Sequence, residues 1–104
     1  MFIRYDELDL LDFFESEPTC IGEYEAGDWI YSYGRNDFAI VLLISTYEKY
    51  VEISITYKDY IIYSQKHNNV SEIKRGDSCC LKLLFDKENV IIIKKEPQIG
   101  VVVE

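Results

Sequence analysis

At 104 residues and 48% hydrophobic, with only five glycines and two prolines, the chain suits one cored domain, 1–104, and is too apolar to be a disordered tail or linker. A formal net charge of -8 argues against direct nucleic-acid binding, where Lys and Arg must neutralise phosphates. The longest apolar run, Phe38 to Ile44, falls far short of the roughly 18 residues of a membrane span.

The start, "MFIRYDELDL", turns acidic by Asp6, unlike a secretory leader, so a cytoplasmic location and no membrane association are expected. The three cysteines, Cys20, Cys79 and Cys80, agree with free thiols: the odd count and the adjacency of Cys79 and Cys80 do not suit a disulfide framework. Charge is divided unevenly. Met1 to Asp28 holds nine acids against one base, and Trp29 to Glu104 holds ten against ten, so the whole net charge lies in the first 28 residues.

In chain order, "YDELDLLDFFESEP" predicts a helix over about residues 6 to 16, with Asp6 as the start, Asp6, Glu7 and Asp9 complementing the positive end of the dipole, and Pro18 as the stop. Leu8, Leu10, Leu11, Phe13 and Phe14 make a wide apolar sector. Asp9, Asp12 and Glu15 fall in the remaining stripe, facing water while the other side docks on a sheet. Next, "EYEAGDWIYSYGRND" places Tyr24, Trp29, Tyr31 and Tyr33 beside Glu23, Glu25 and Asp28. These aromatics are residue types that dominate interface hot spots; equally, Trp29, Tyr31 and Tyr33 alternate as packed residues of a first strand would.

Beyond Asp28 the period is two. "VEISITY" sets Val51, Ile53, Ile55 and Tyr57 against Glu52, Ser54 and Thr56, and "CLKLLFD" puts Leu81, Leu83 and Phe85 on one face. "FAIVLLI" and "VIII" lack alternation, which fits central strands covered on both faces, or an interface. Polar breaks at "GRND", "YEKY", "YKDY", "HNN", "RGDS" and "DKEN" recur about every 10 to 14 residues, too short for crossover helices. The fold class expected is α+β: mostly an antiparallel β meander of six to eight strands, with one N-terminal α-helix packed on the sheet.

No catalytic or metal-binding pattern stands out. His67, the single histidine, lies in "KHNN" next to a turn without an evident orienting partner, and the cysteines form no CxxC pair. The carboxylates crowd one helix and one loop, whereas acid–base or two-metal sites draw them from separate segments into a pocket. "EYEAGDW" lacks the ligand spacing of a calcium loop, and "NVS" at Asn69 is a glycosylation pattern of no use without secretion. The chain is read as a binding protein and not an enzyme, with no cofactor and no metal. Basic residues in "IKRG" and "IIKKE", with Lys82, are read as strand-face and edge lysines that discourage aggregation.

Concentrated carboxylates cost stability by self-repulsion and accelerate encounter with a positive surface. The expected contacts with a basic protein partner are Asp9, Asp12, Glu15, Glu23, Tyr24, Glu25, Asp28 and Trp29. A small, acidic, aromatic-rich single domain of this organisation resembles the immunity proteins of bacterial toxin systems, including contact-dependent inhibition, and also phage-encoded inhibitors that mimic nucleic acid. The likeness is one of size, charge and organisation. It implies a cytoplasmic inhibitor that binds a basic toxin domain, often a nuclease, and blocks its active site or a surface beside it. Two rival readings stand. In one, a β-rich shell binds a small ligand; in the other, the chain is a homo-oligomer subunit held by the non-alternating strands or by "IGVVVE" at a neighbour's sheet edge.

Overall fold

The computed structural model describes residues 2–23, 26–35, 37–76, 80–85, 90–94 and 100–103. One helix, α1 (Glu7–Phe14), precedes nine strands: β1 (Thr19–Cys20), β2 (Asp28–Arg35), β3 (Phe38–Ser45), β4 (Tyr50–Tyr57), β5 (Tyr60–Asn68), β6 (Val70–Arg75), β7 (Cys80–Phe85), β8 (Val90–Lys94) and β9 (Gly100–Val103). Within each sheet the strands pair antiparallel and in chain order, as in a meander. The meander is divided into a five-stranded sheet, β1 to β5, and a four-stranded sheet, β6 to β9.

The division falls at Asn69. The "HNN" break was expected to be a hairpin, but His67 and Asn68 belong to β5, and Asn69 alone, at φ 64°, turns the chain into the other sheet. One residue cannot close a hairpin, so β5 and β6 do not pair. Elsewhere the turns use polar residues that tolerate positive φ. Lys58 and Asp59 both adopt it (φ 49° and 71°), the requirement of a two-residue hairpin whose twist matches its strands. Of "RGDS" and "DKEN", Asp77, Ser78 and all of Asp86 to Asn89 lie outside the described residues, as does Cys79.

Helix α1 is shorter than the spacing predicts. The Asp6 carboxylate accepts from the Leu8 N–H at 2.9 Å and caps its start. At the other end Glu15 turns left-handed (φ 56°) and its N–H reaches the Leu11 carbonyl at 2.8 Å, ending the helix at Phe14, well before Pro18. Leu10, Phe13 and Phe14 are buried at the i, i+3, i+4 spacing of one face, and Leu11 is half-buried. Leu8, assigned to the apolar sector, is instead 71% exposed, because it stands about 200° of helical rotation from Leu10.

The helix packs on β2 of one sheet and β6 of the other. Phe14 stacks on Tyr31 at 5.4 Å and meets Phe13 edge-on at 5.0 Å. Beneath lie Ile40, Leu42, Ile44, Val51 and Ile53 of the larger sheet and Ile73, Leu81, Leu83 and Ile93 of the smaller one, in a single core. The non-alternating β3 is the middle strand of its sheet: Ile40, Leu42 and Ile44 are fully buried, while Ala39, Val41 and Leu43 on the other face are half-buried. The first residues tie the sheets together. Ile3 donates its N–H to the Thr46 carbonyl after β3, while Arg4 bonds to Ser71 and Ile73 on β6.

Candidate partner-binding surface

The acidic residues are gathered around α1 and the start of β2, and the local environment of each differs. Asp12 is exposed on α1 and forms an ion pair with Arg75 at the end of β6. Asp9 is half-buried, and Glu15 is exposed at the helix end. Glu23 is exposed in the loop before β2. Asp28 is half-buried and accepts a 2.8 Å hydrogen bond from the hydroxyl of Ser45, itself 2% exposed, so this carboxylate also serves the β2–β3 register. Tyr24 and Glu25 lie outside the described residues.

Trp29 is half-buried and packs on the core with Tyr33; Tyr31, 2% exposed, is a core residue. All three share one face of β2, opposite Ile44, Leu42 and Ile40 of β3, the arrangement expected of packed strand aromatics. Trp29 nevertheless reaches the surface. With Tyr5, Glu7, Pro18 and Tyr31 it lines a cleft of about 70 Å³, which sets an indole beside an exposed carboxylate.

Glu7, whose sequence role was only to complement the helix dipole, is therefore central to the acidic surface. It also borders a larger cleft of about 710 Å³ with Arg4, Asp6, Asp9, Glu72 and Lys74. Nothing in the local sequence brings Glu72 and Lys74 to the helix; the parallel bridge of Arg4 to Glu72 does so, and Arg4 and Glu72 also form a 3.6 Å ion pair. Two bases of β6 and one of the N-terminal segment thus border the acids.

The tyrosines beneath feel both burial and charge. Burial pushes the Tyr5 phenol up, partly offset by its 3.2 Å hydrogen bond with Thr46 and reinforced by Glu7. Tyr31 is pushed up to about 12, by burial first and then by Tyr5 and Glu7. Both phenols stay neutral at pH 7. His67, in β5 opposite Val51, has its ring edge-on to Phe85 at 6.0 Å and its Nε2 3.5 Å from the Tyr63 hydroxyl; burial lowers its pKa. Among the described residues no group of three or more His, Cys, Asp or Glu side chains is placed to hold a metal ion. No helix among them is long and apolar enough to cross a membrane. Chemically, the surface can offer carboxylates to a cationic partner around a small aromatic-lined cleft.

No protein-family model matches the chain, and no curated protein does. A solved structure does: a chain of the contact-dependent growth inhibition toxin–immunity protein complex from Klebsiella pneumoniae 342 superposes with a TM-score of 0.82, over 100% of this chain and 98% of that one, at 23% sequence identity. The likeness is one of fold: an α+β domain of two antiparallel sheets with the N-terminal helix packed across them is shared with a component of that complex.

Proposed function

We propose that this chain is an immunity protein that binds and inhibits a basic toxin domain, in particular a nuclease, through its acidic N-terminal face. The observation that carries the reading is the full-length likeness to a component of a toxin–immunity complex. The charge distribution favours the immunity role over the toxin role: the net charge of -8 belongs wholly to the first 28 residues, and a nuclease needs positive charge where it meets phosphates. Asp9, Asp12, Glu15, Glu23, Glu25 and Asp28, with Tyr24 and Trp29, remain the proposed contacts, and Glu7 joins them through the cleft it shares with Trp29. In this reading the chain acts by occlusion, without catalysis, in the cytoplasm.

The experiment is co-expression with the toxin domain encoded beside this chain, scored by growth, followed by stopped-flow association of the purified pair. Protection and a salt-sensitive complex are expected. The variant D12N/E15Q/E23Q removes three exposed charges without placing a cation against Arg75, and should slow association roughly tenfold at low salt, the difference fading as salt rises. No protection and no complex would refute the immunity reading. Protection with unchanged association rates would refute only the acidic face.

A further inference from the structure

The outer edge of β5 carries an apolar surface that the acidic face does not use. Strand β5 ends the five-stranded sheet, and among the described residues no strand pairs with its far side. Tyr60 is 77% exposed, Ile61 70% and Ile62 57%, with Tyr57 across the turn at 37%. Edge strands that stay single in solution are usually blunted by charge, proline or shortness. The opposite edge of this sheet is such a case, since β1 has two residues, and the edge of β6 is met by Arg4. From Tyr60 to Gln65, β5 has neither charge nor proline, and its one irregularity is a bulge at Ile62, opposite Ile55 and Thr56. Lys66, its one charged residue, lays its ammonium 4.1 Å from the centroid of the Tyr50 ring.

Size and charge identify the occupant. With large side chains presenting roughly 200 Å² each when free, these four expose on the order of 500 Å², shared between the two faces of the sheet edge, since Tyr60 pairs with Tyr57 and Ile61 with Thr56. Covering part of this surface on each of two copies, together with the strand edges, approaches the roughly 1,000 Å² at which specific association begins. Lys58 and Asp59 cancel in the adjoining turn, so the patch is neutral on a molecule of charge -8. A basic partner gains nothing from a neutral patch, whereas a second copy meets an uncharged surface matching its own.

We propose that β5 pairs antiparallel with β5 of a second copy about a twofold axis, joining two five-stranded sheets into one of ten with the apolar Tyr60–Ile62 stretch of each copy at the seam. This homodimer does not depend on the immunity reading and uses none of its contacts.

The test is sedimentation equilibrium of the full chain over two decades of concentration, beside the variant Tyr60→Lys/Ile61→Lys and the control Val102→Lys, which changes an exposed residue of β9. All three sites are exposed, so the fold should survive, as circular dichroism would verify. The wild-type chain and the control should dimerise alike, and the double variant should raise the dissociation constant roughly 100-fold or more. A wild-type chain that stays monomeric overturns the proposal. So does a dimer that survives the double variant, or one broken by Val102→Lys.

Discussion

Replacing Phe14 by alanine tests whether α1 is fixed by its buried face or merely capped in place. Phe14 is 1% exposed, stacked on Tyr31 and edge-on to Phe13. Removing the ring returns on the order of 120 Å² of apolar burial, about 3 kcal/mol at 25 cal/mol per Å². Lost ring contacts add about 1 kcal/mol, and the cavity, squeezed between two sheets that cannot collapse onto a shortened side chain, keeps the sum within the 3 to 5 kcal/mol typical of such deletions. In a domain of this length that lowers the thermal midpoint by about 15 to 25 °C. The assay is urea unfolding of the wild-type chain and of Phe14→Ala and Leu8→Ala, followed by far-ultraviolet circular dichroism and tryptophan fluorescence together. Leu8→Ala, at a site 71% exposed, should change stability by less than about 0.5 kcal/mol. A loss below about 1 kcal/mol at Phe14, or equal losses at both sites, would show that α1 does not dock through Leu10, Phe13 and Phe14.

Two further outcomes are expected. Burial lowers the pKa of His67, so the folded state binds fewer protons there than the unfolded chain does; the stabilisation present above the unfolded value is lost as pH falls through the folded one. The wild-type unfolding midpoint should therefore fall more than that of His67→Gln between about pH 7.5 and pH 5, and parallel curves would contradict it. Gly27 stands at φ +73°, where an added Cβ would lie 2.8 Å from Tyr47 Cε2 and 3.1 Å from Thr46 Cβ, whereas Gly22 at φ +69° has nothing within 4 Å. Gly22→Ala should cost about 1 kcal/mol for the backbone alone, and Gly27→Ala clearly more, up to about 3 kcal/mol; equal losses in thermal melts would mean that Tyr47 simply swings aside.

The regular parts of the fold were legible because they follow period and chemistry. Alternation in "VEISITY" and "CLKLLFD" marked β4 and β7, and short polar breaks compelled antiparallel neighbours. The missing alternation of β3 was open to a central strand or an interface, and its place in the middle of the sheet, where half-buried Val41 and Leu43 back the buried Ile40, Leu42 and Ile44, matches the first. What escaped depended on single backbone angles and distant partners. The helix end rests on Glu15 at φ 56°, which no side-chain pattern announces, and the split into two sheets rests on Asn69. The ion pair of Asp12 with Arg75 joins residues 63 apart in sequence, so the partial neutralisation of the acidic stripe could not be read from the stripe. The same holds for Glu7, whose neighbours Trp29 and Tyr31 arrive only when β2 passes under the helix.

The register of the larger sheet decides whether its two surfaces compete. Asp28 pairs with Ser45 at one end of β2, and Arg35 pairs with Phe38 at the other; Phe38 pairs with Tyr57, and Tyr57 with Tyr60. The acidic start of β2 and the apolar β5 turn are thus separated by the length of an eight-residue strand as well as by the width of three strand spacings, on the order of 25 Å along the strands alone. That distance is about three times the screening length at physiological salt. Repulsion between the acidic faces of two copies therefore does little to oppose pairing through β5, and a cationic partner drawn to one face has no reason to displace the second copy from the other. Binding of partner and of a second copy should be independent, so a complex of two chains with two partners, formed with the same affinity per site as one chain with one, follows from the placement of charge along the strands.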